Sequence, residues 1–474
     1  MSQLFRRLAL LAGGLLFVVG VAVWWRYVFP APPKFTLPSR FAVRPHERIM
    51  IFAPHSDDEV LGPGGLIQRA VRRGAEVRVV LVTNGDGFTL AVEDQFHSLR
   101  VTPQKYIQFA YLRQKETLAA LASLGVPASA VTFLGFPDRG TAREWEDYWL
   151  KSNPYTSRYT RTSHSPYRNS YVRETPFSGA ALAEQIIRLI REFRPDTIIL
   201  PHPNDLHPDH WATHNFVVYA LAMMDDPETG GPLLLRHPPR LLNYLVHRGN
   251  WPAPKGYHPY QELAPPPRLL ASDTRWGAFP LRPWETERKH QAILKYGSQV
   301  RVMHRYLVSF ARANDLFGVL PPTPAVGEKT VTAVLDPIED SFVREVEGAA
   351  DLRRISLNAD RDYVYCRLTL RRRPSALVTY LLHFHALPAS PEQPPVRHDL
   401  RLRFVRGRWV AHSAQPQGFA PDERYPVTAS GSTLIIRFPR EAAGPRRLFF
   451  VAAETRLGEL MDRTAWRCVE LSPR

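Results

Sequence analysis

Cysteine is nearly absent from this chain of 474 residues, which contains only Cys366 and Cys468. Two cysteines are too few for a fold held together by disulfide bonds. They either form a single bridge in an oxidising compartment or lie buried as small apolar side chains, and we favour the second interpretation. A hydrophobic core must therefore stabilise the protein, and the length of the chain supplies enough material for more than one domain.

Lysine is also scarce, because only eight of the 61 basic residues are lysine and the rest are arginine. Acidic residues number 45, so the formal net charge is +16. No helix-turn-helix, RNA-recognition or zinc-finger pattern accompanies this charge, and we therefore expect no nucleic-acid partner. Anionic lipid headgroups or an anionic glycan explain its sign better. The alternative is an arginine-rich genome, which accounts for some of the excess.

One long apolar run without charge stands out, at residues 8–25. As a helix it would extend about 27 Å, just enough to cross a bilayer. Bulky residues at 23–25 disfavour the alternative of a cleaved signal peptide, so we predict an uncleaved transmembrane anchor. Arg6 and Arg7 precede the run and only Arg26 follows it. This bias places residues 1–7 in the cytoplasm and the rest of the chain outside, beyond a proline-rich linker at 26–47.

Strand-like and helix-like patterns alternate through the first long region, residues 48–320. The sequence predicts strands at 49–52, 77–82, 131–134 and 197–201, with helices at 66–73, 111–124, 180–193 and 284–317. This alternation is typical of an α/β domain with a Rossmann-like, mostly parallel sheet and helices on both faces. Ser178 is placed to cap the helix that leads to the fourth strand.

The pattern of apolar and polar residues changes after a proline-rich boundary, which is predicted as a linker at 321–334. Short alternating runs separated by turns then recur to the end of the chain, which predicts a β-sandwich at 335–474. Its opening loosely resembles sandwich modules appended to carbohydrate-active enzymes. A domain that serves only stability or partner binding is an equally good interpretation.

The first concentration of reactive side chains follows the predicted strand at 49–52. His55, Asp57, Asp58 and Glu59 lie within five positions. Open α/β sheets carry their chemistry just beyond the carboxyl ends of the strands. Three carboxylates crowded there repel one another, and a bound divalent cation would offset that repulsion. An acidic turn that merely caps a helix is the alternative.

A second concentration follows the predicted strand at 197–201 and contains His207, Asp209 and His210. If the two strands are parallel in one sheet, both clusters face the same crevice. Together they could supply three ligands to a metal ion and leave a coordination position open. Either cluster alone is weak evidence, but the pair indicates a metal site.

The two clusters carry a family resemblance. Residues 54–59 read Pro-His-Ser-Asp-Asp-Glu and residues 207–210 read His-Pro-Asp-His. They resemble the motifs Pro-His-Pro-Asp-Asp-Glu and His-Pro-Asp-His of the PIG-L/LmbE-like zinc de-N-acetylases. The similarity extends more loosely from Arg48 to Phe317. Ser56 replaces the usual second proline, but it follows the first ligand and is not expected to touch the metal.

The resemblance implies a role for each of eight residues. One zinc ion per chain would be bound by His55, Asp58 and His210. Asp57 would act as the general base towards water. His207, oriented by Asp209, would stabilise the oxyanion and protonate the leaving amine. Arg113 and Asp138 would contact sugar hydroxyls, although an ion pair with Glu116 on the same helix is the structural alternative for Arg113.

These observations predict a membrane-anchored zinc hydrolase whose catalytic domain lies outside the cytoplasm. It would remove acetyl from an N-acetylated amino sugar of the N-acetylglucosamine type, within a glycan or glycolipid. Two other functions stay open: a zinc amidase acting on a non-sugar amide, and a membrane-tethered carbohydrate-binding or scaffold protein. The tyrosine-rich and arginine-rich stretch at 141–176 is either a substrate-contacting lid or a mobile surface loop.

Overall fold

A computed structural model of the chain describes residues 39–224, 237–337, 347–388, 393–413, 424–444 and 447–473. The predicted anchor at 8–25 and all but the end of the linker at 26–47 lie outside these residues. Among the residues described, no helix has both the length and the apolar character needed to cross a membrane.

The first region is built on an eight-stranded sheet. Its strands are β1 (Ser39–Arg40), β2 (Arg48–Ala53), β3 (Glu76–Thr83), β4 (Val131–Phe136), β5 (Thr197–Pro201), β6 (Arg240–Tyr244), β7 (Arg275–Pro280) and β8 (Asn314–Val319). They lie in the order β1-β7-β8-β6-β5-β2-β3-β4. All neighbours are parallel except β8, which is antiparallel to β6 and β7. The predicted α/β class with a mostly parallel sheet is confirmed.

The helices of this region are α1 (Asp58–Leu61), α2 (Gly64–Arg72), α3 (Thr89–Phe96), α4 (Pro103–Ser123), α5 (Thr141–Glu146), α6 (Gly179–Phe193), α7 (Pro208–Met224), α8 (Pro283–Ile293) and α9 (Gly297–Leu307). The hydroxyl of Ser178 caps α6 as predicted, accepting a hydrogen bond from the Ala181 amide at 3.3 Å. The single helix predicted at 284–317 is wrong. The backbone leaves the helical conformation at Tyr296, between α8 and α9, and the last residues of the segment pair with β7 as strand β8.

Strand order places the two reactive clusters side by side. The chain runs from β2 outward to β3 and β4 on one side, and β5 and β6 continue the sheet on the other. Ligands of open α/β sheets bind where the strand order reverses in this way. Every residue of β2 after Arg48 is buried, as expected for a central parallel strand. His55 follows β2 and His207 follows β5, so both stand at the same edge of the sheet.

The second region is rich in β-structure. It consists of β9 (Ala325–Val326), β10 (Val331–Leu335), the short helix α10 (Glu347–Ala350), β11 (Leu352–Ala359), β12 (Tyr363–Leu370), β13 (Thr379–Ala386), β14 (Val396–Val405), β15 (Arg408–Ser413), β16 (Arg424–Ser430), β17 (Thr433–Pro439), β18 (Leu448–Leu457), β19 (Glu459–Arg463) and β20 (Arg467–Leu471). All its pairings are antiparallel except that of β9 with β20.

Strands of this region that are not hydrogen-bonded to each other still share a core. The rings of Phe384 in β13 and Phe438 in β17 lie 4.6 Å apart. Cys366 and Cys468 are buried free thiols, which confirms the prediction that they serve as small apolar side chains. Residues 321–334, predicted as a linker, contain β9 and most of β10, and these strands pair with β20 and β11.

The α/β region and the β region pack against each other within one compact unit. The ring of Trp145, in α5, lies 5.0 Å from that of Phe450 and 5.9 Å from that of Trp466. Both partners belong to the β region, and all three side chains are almost fully buried. The two regions therefore share an apolar cluster.

Candidate metal centre

Three side chains converge at the carboxyl edge of the sheet. His55 Nδ1 lies 3.2 Å from Asp58 Oδ2, and His210 Nε2 lies 3.1 Å from the same oxygen. The two ring nitrogens are 3.3 Å apart. His55 follows the end of β2, Asp58 is the first residue of α1, and His210 lies in the first turn of α7. The structure therefore brings together the three residues that the sequence predicted as metal ligands.

The spacing of these three atoms fits a metal ion. Tetrahedral ligands at bond lengths of about 2.0 to 2.1 Å are separated from one another by about 3.3 Å, and the three distances observed are close to that value. The other oxygen of the Asp58 carboxylate is buried and has no hydrogen-bond partner among the residues described. A carboxylate oxygen left unpaired in the interior is costly unless a cation compensates it.

The outer nitrogens of the two rings contact carboxylates. His55 Nε2 lies 3.0 Å from Asp209 Oδ2, and His210 Nδ1 lies 3.2 Å from Asp205 Oδ2. If these outer nitrogens carry hydrogen, as carboxylate neighbours favour, the lone pairs of His55 Nδ1 and His210 Nε2 face Asp58. Carboxylate partners of this kind commonly orient histidines that bind metals. In that tautomer three electron-rich atoms face one another, an arrangement that favours a cation between them.

The titration behaviour of the three side chains agrees with a cation site. Burial lowers the pKa of His210, but Asp205 and Asp58 outweigh it and raise the pKa to about 9. Burial also lowers the pKa of His55, but the neighbouring carboxylates outweigh it and raise that pKa well above its usual value. For Asp58, burial raises the pKa, but His210 and His55 bring it well below its usual range. The surrounding carboxylates thus stabilise positive charge at this point.

A second group of potential ligands overlaps the first. His55, Asp138, His207 and Asp209 have ligand atoms within 4.8 Å of one another. The Asp209 carboxylate is already occupied, however, because it accepts hydrogen bonds from the Arg139 amide at 2.6 Å and from the Thr141 hydroxyl at 2.6 Å. The group around Asp58 is therefore the stronger candidate for a metal position.

Asp205 has a role that the sequence analysis did not identify. Besides contacting His210, its carboxylate accepts the backbone N–H groups of His207 at 2.9 Å, Val246 at 3.0 Å and His247 at 2.9 Å. It is 3 % exposed. Asp205 thus fixes His210 and ties the turn after β5 to the turn after β6. The only signal in the sequence is an aspartate five residues before a predicted ligand.

His247 is a further member of the site that the sequence analysis missed. It follows β6, and its ring lies 4.7 Å from that of His210. Its ligand atoms fall within 4.8 Å of those of the three predicted ligands. Burial lowers its pKa to about 4, assisted by the charge on His210. No sequence motif surrounds His247, so its position near the site is recognised only once β6 is placed beside β5.

Asp57 stands next to the ligand set in an unusual backbone conformation. Its φ of 118° lies in the region that favours glycine. Strained residues of this kind cluster at functional sites. Glu59 Oε2 accepts the Asp57 N–H at 3.0 Å, and Arg113 Nη2 donates to Asp57 Oδ2 at 3.2 Å. Burial raises the pKa of the Asp57 carboxyl to about 8, against the opposing charge of Arg113.

Both predicted substrate contacts lie at the centre. Arg113 is 3 % exposed and also donates to the carbonyl oxygens of Gly85, at 2.7 Å, and Ser56. Its alternative pairing with Glu116 is not observed, because Glu116 instead accepts hydrogen bonds from Ser298. Asp138 Oδ1 lies 3.6 Å from His55 Nε2. Burial raises the pKa of Asp138, but His55 brings it well below its usual range.

The ring of His207 is partly exposed, with 18 % of its side chain accessible. Its Nδ1 accepts the Asp209 backbone N–H at 3.3 Å, whereas the Asp209 carboxylate is 4.0 Å away. The orienting contact predicted for the Asp209 side chain is thus made by its backbone. Burial and the charges on His55, His210 and His247 keep the His207 pKa well below its usual value.

The stretch predicted as a lid or a mobile loop packs beside the centre. Its first part is α5, and the Tyr167 hydroxyl donates to Asp86 Oδ2 at 2.9 Å. The Tyr171 N–H donates to the Phe133 carbonyl, in β4, at 2.8 Å. Tyr167 is buried, so these contacts attach the stretch to the sheet.

The part of the chain that carries this site is similar to known proteins. The PIG-L family model, described as GlcNAc-PI de-N-acetylase, matches residues 50–221. A 1D-myo-inositol 2-acetamido-2-deoxy-alpha-D-glucopyranoside deacetylase of Mycobacterium sp. (strain KMS) is 32 % identical over 176 residues, which are 37 % of this chain and 50 % of that protein. The enzyme of the same description from Mycolicibacterium smegmatis is 31 % identical over 186 residues, 39 % and 56 % of the two chains. This chain spans about half the length of these curated relatives.

Two solved structures are similar to part of this chain. The N,N'-diacetylchitobiose deacetylase of Pyrococcus horikoshii is 18 % identical, with 64 % of this chain and 93 % of that one covered and a TM-score of 0.38. A deacetylase from the teicoplanin biosynthesis pathway is 19 % identical. The similarity covers 57 % of this chain and 96 % of that one, with a TM-score of 0.36. Residues 50–221, which match the PIG-L family model, carry His55, Asp58 and His210.

Proposed function

We propose that this protein is a zinc-dependent hydrolase that removes acetyl from an N-acetylated amino sugar of the N-acetylglucosamine type, in a glycan or glycolipid. The observation that carries the proposal is the triangle of His55, Asp58 and His210, with edges of 3.1 to 3.3 Å. Asp57 and His207 flank it. The relatives described as deacetylases of acetamido sugars support the choice of substrate.

We assign one zinc ion per chain to His55, Asp58 and His210. Two imidazole nitrogens and one carboxylate oxygen are a common ligand set of catalytic zinc sites. A zinc ion bound there would polarise the acetyl carbonyl and make water more acidic. Asp205 and Asp209 would hold the two imidazoles in the required tautomers.

Asp57 is the proposed general base. A base is most effective when its pKa lies near the working pH, and that of Asp57 is about 8. Arg113 Nη2, at 3.2 Å, favours the ionised carboxylate and restricts its orientation. Asp57 would take a proton from the attacking water and then return it to the nitrogen of the leaving amine.

His207 is the proposed oxyanion donor. Because its Nδ1 accepts the Asp209 N–H, hydrogen resides on Nε2. Its low pKa keeps the ring neutral, so it acts as a hydrogen-bond donor to the carbonyl oxygen as negative charge develops there. We therefore propose Asp57, and not His207, as the source of the proton that the amine receives.

Acetate release tests the proposed function. Purified protein would be incubated with a panel of N-acetylglucosamine-containing oligosaccharides and glycolipids, and with N-acetylated amino-acid amides to represent the non-sugar alternative. We expect acetate from at least one acetamido sugar, and none from it with Asp58→Asn. Acetate from the amino-acid amides alone would contradict the proposal.

We also propose that residues 8–25 anchor the protein and that its catalytic domain lies outside the cytoplasm, in reach of envelope glycans. The charge bias of Arg6 and Arg7 over Arg26 supports this orientation. Protease added to intact spheroplasts should digest the chain beyond residue 33. Protection until the membrane is broken would overturn the orientation.

A further inference from the structure

A groove of about 410 Å³ opens beside the candidate metal centre. Two of its lining residues adjoin the centre in sequence: Arg139 follows Asp138, and Pro208 follows His207. The Arg139 amide donates to Asp209 Oδ2 at 2.6 Å, and the same oxygen contacts His55 Nε2 at 3.0 Å. The groove therefore begins close to the point where the acetamido group would react.

The lining of this groove is strongly basic. Four arginines contribute to it, Arg139, Arg143, Arg158 and Arg463, against the single acidic residue Glu146. Glu146 is paired with Arg463, and Arg143 Nη1 lies 2.7 Å from Asp147. Within the part of the chain that the structure describes, neither the Arg139 guanidinium nor the Arg158 guanidinium contacts a carboxylate. Two guanidinium groups thus remain available to a ligand.

The backbone of Arg139 and the side chain of Arg158 each have defined partners. Arg139 has a φ of 58°, in the left-handed region, and its N–H bond to Asp209 maintains that conformation. The Arg158 guanidinium lies over the ring of Tyr159 at 4.8 Å and donates to the Tyr159 hydroxyl at 2.7 Å. Both side chains are exposed. Ordered positions reduce the entropy lost when an anion binds.

The β region supplies another part of the lining. Arg463, the last residue of β19, lies over the ring of Trp211 at 4.0 Å and pairs with Glu146. Trp211 belongs to α7, the helix that also carries His210. The groove is thus formed between the family domain and a region outside the family match, so the β region can influence which substrate is accepted.

We propose that this groove binds a carboxylate-bearing sugar adjacent to the acetamido sugar, so that the preferred substrate is an anionic glycan containing a uronic acid. The inference rests on the proposed function. The volume falls within the range of about 300 to 1,000 Å³ that is usual for small-molecule sites. Guanidinium groups match carboxylates with paired hydrogen bonds.

A matched pair of substrates tests this inference. Two oligosaccharides would contain the same N-acetylglucosamine residue and differ only in its neighbour, glucuronic acid in one and glucose in the other. We expect kcat/KM to be at least roughly fivefold higher for the acidic substrate at low ionic strength, and the preference to shrink in 0.5 M salt. Arg158→Gln should reduce the preference and Arg158→Lys should restore part of it.

Arg161→Gln is the matched control, because Arg161 lies on the same exposed stretch but does not line the groove. It should keep the wild-type preference. Calorimetry with the de-N-acetylated acidic product gives a readout independent of turnover, and Arg158→Gln should weaken that binding. Equal kcat/KM for both substrates, with acetate released, would overturn the inference and leave the proposed function standing. If neither of these substrates nor any other acetamido sugar released acetate, both the inference and the proposed function would be overturned.

Discussion

The carboxylate of Asp209 contacts the imidazole of His55, 154 residues away in sequence, and not that of His207, its neighbour but one. The Asp209 Oδ2 to His55 Nε2 distance is 3.0 Å, whereas the distance to His207 Nδ1 is 4.0 Å. The sequence motif suggested a pair formed by Asp209 and His207. The structure instead makes Asp209 the partner that orients a candidate metal ligand, so its loss should affect metal binding first.

We expect Asp209→Asn to lower zinc affinity about 10-fold to 100-fold, as is typical when the partner of a metal-binding histidine is changed. Competition with a chromogenic chelator would measure the affinity. Asp205→Asn, which changes the partner of His210, should show a loss of similar size. If Asp209→Asn kept wild-type zinc affinity but had reduced turnover, Asp209 would instead act by orienting His207, as the sequence predicted.

The Asp57→Asn variant should distinguish the role of a general base from that of a metal ligand. Its side chain is not one of the three metal ligands, so the variant should bind zinc at wild-type stoichiometry. Turnover should fall by a factor of about 10² to 10⁴, because a general base is lost. Elemental analysis would measure the zinc content, and single-turnover acetate release would measure the rate. Rates close to wild type would show that another group activates the water.

The β region provides a prediction on the dependence of stability on pH. His383 Nδ1 lies 2.6 Å from Asp399 Oδ1, and both side chains are largely buried. Burial alone lowers the pKa of His383, but Asp399 and Glu454 outweigh it and raise the pKa above 6.5. For Asp399, burial acts to raise the pKa, yet His383 lowers it from 3.8 to about 2.

The two shifts define where this ion pair stabilises the fold. The contribution of His383 is fully present below its unfolded pKa of about 6.5 and is lost as pH rises through the folded value. That of Asp399 is present above about 3.9 and is lost as pH falls through about 2. His383→Asn should therefore lower the melting temperature most between about pH 4 and 6.5. A temperature difference that stayed constant up to pH 9 would contradict this account.

The apolar cluster shared by the two regions should make them unfold together. Trp466→Ala removes a buried ring beside Trp145, and we expect a loss of about 3 to 5 kcal/mol of stability. Trp409→Ala, in the half-buried periphery of the β region, should cost less. Zinc release and far-ultraviolet circular dichroism should give the same midpoint in each protein. Separate midpoints would indicate two regions that unfold independently.

Much of the site was accessible from sequence because it depends on local patterns. Continuous apolar runs identified β2 and β5, and motifs directly after them supplied His55, Asp58 and His210. Parallel pairing then placed both strand ends at one edge. What the sequence does not show is which strand lies on the other side of β5.

His247 was missed for that reason, because its contribution depends on β6 pairing with β5. The helix predicted at 284–317 failed because its pattern of apolar residues does not reveal that residues from Asn314 onward pair with β7. The shared core of Trp145 and Trp466 was likewise hidden, since each tryptophan alone suits the interior of its own region. These features arise from contacts between residues far apart in sequence.

The central claim is that His55, Asp58 and His210 hold one zinc ion that is required for deacetylation. The most direct measurement is a titration of zinc into metal-free protein, with acetate release from an acetamido sugar followed at each addition. We predict that activity is absent without metal, rises in proportion to added zinc and reaches its plateau at one equivalent per chain. Full acetate release from protein shown by elemental analysis to contain no metal would contradict the account.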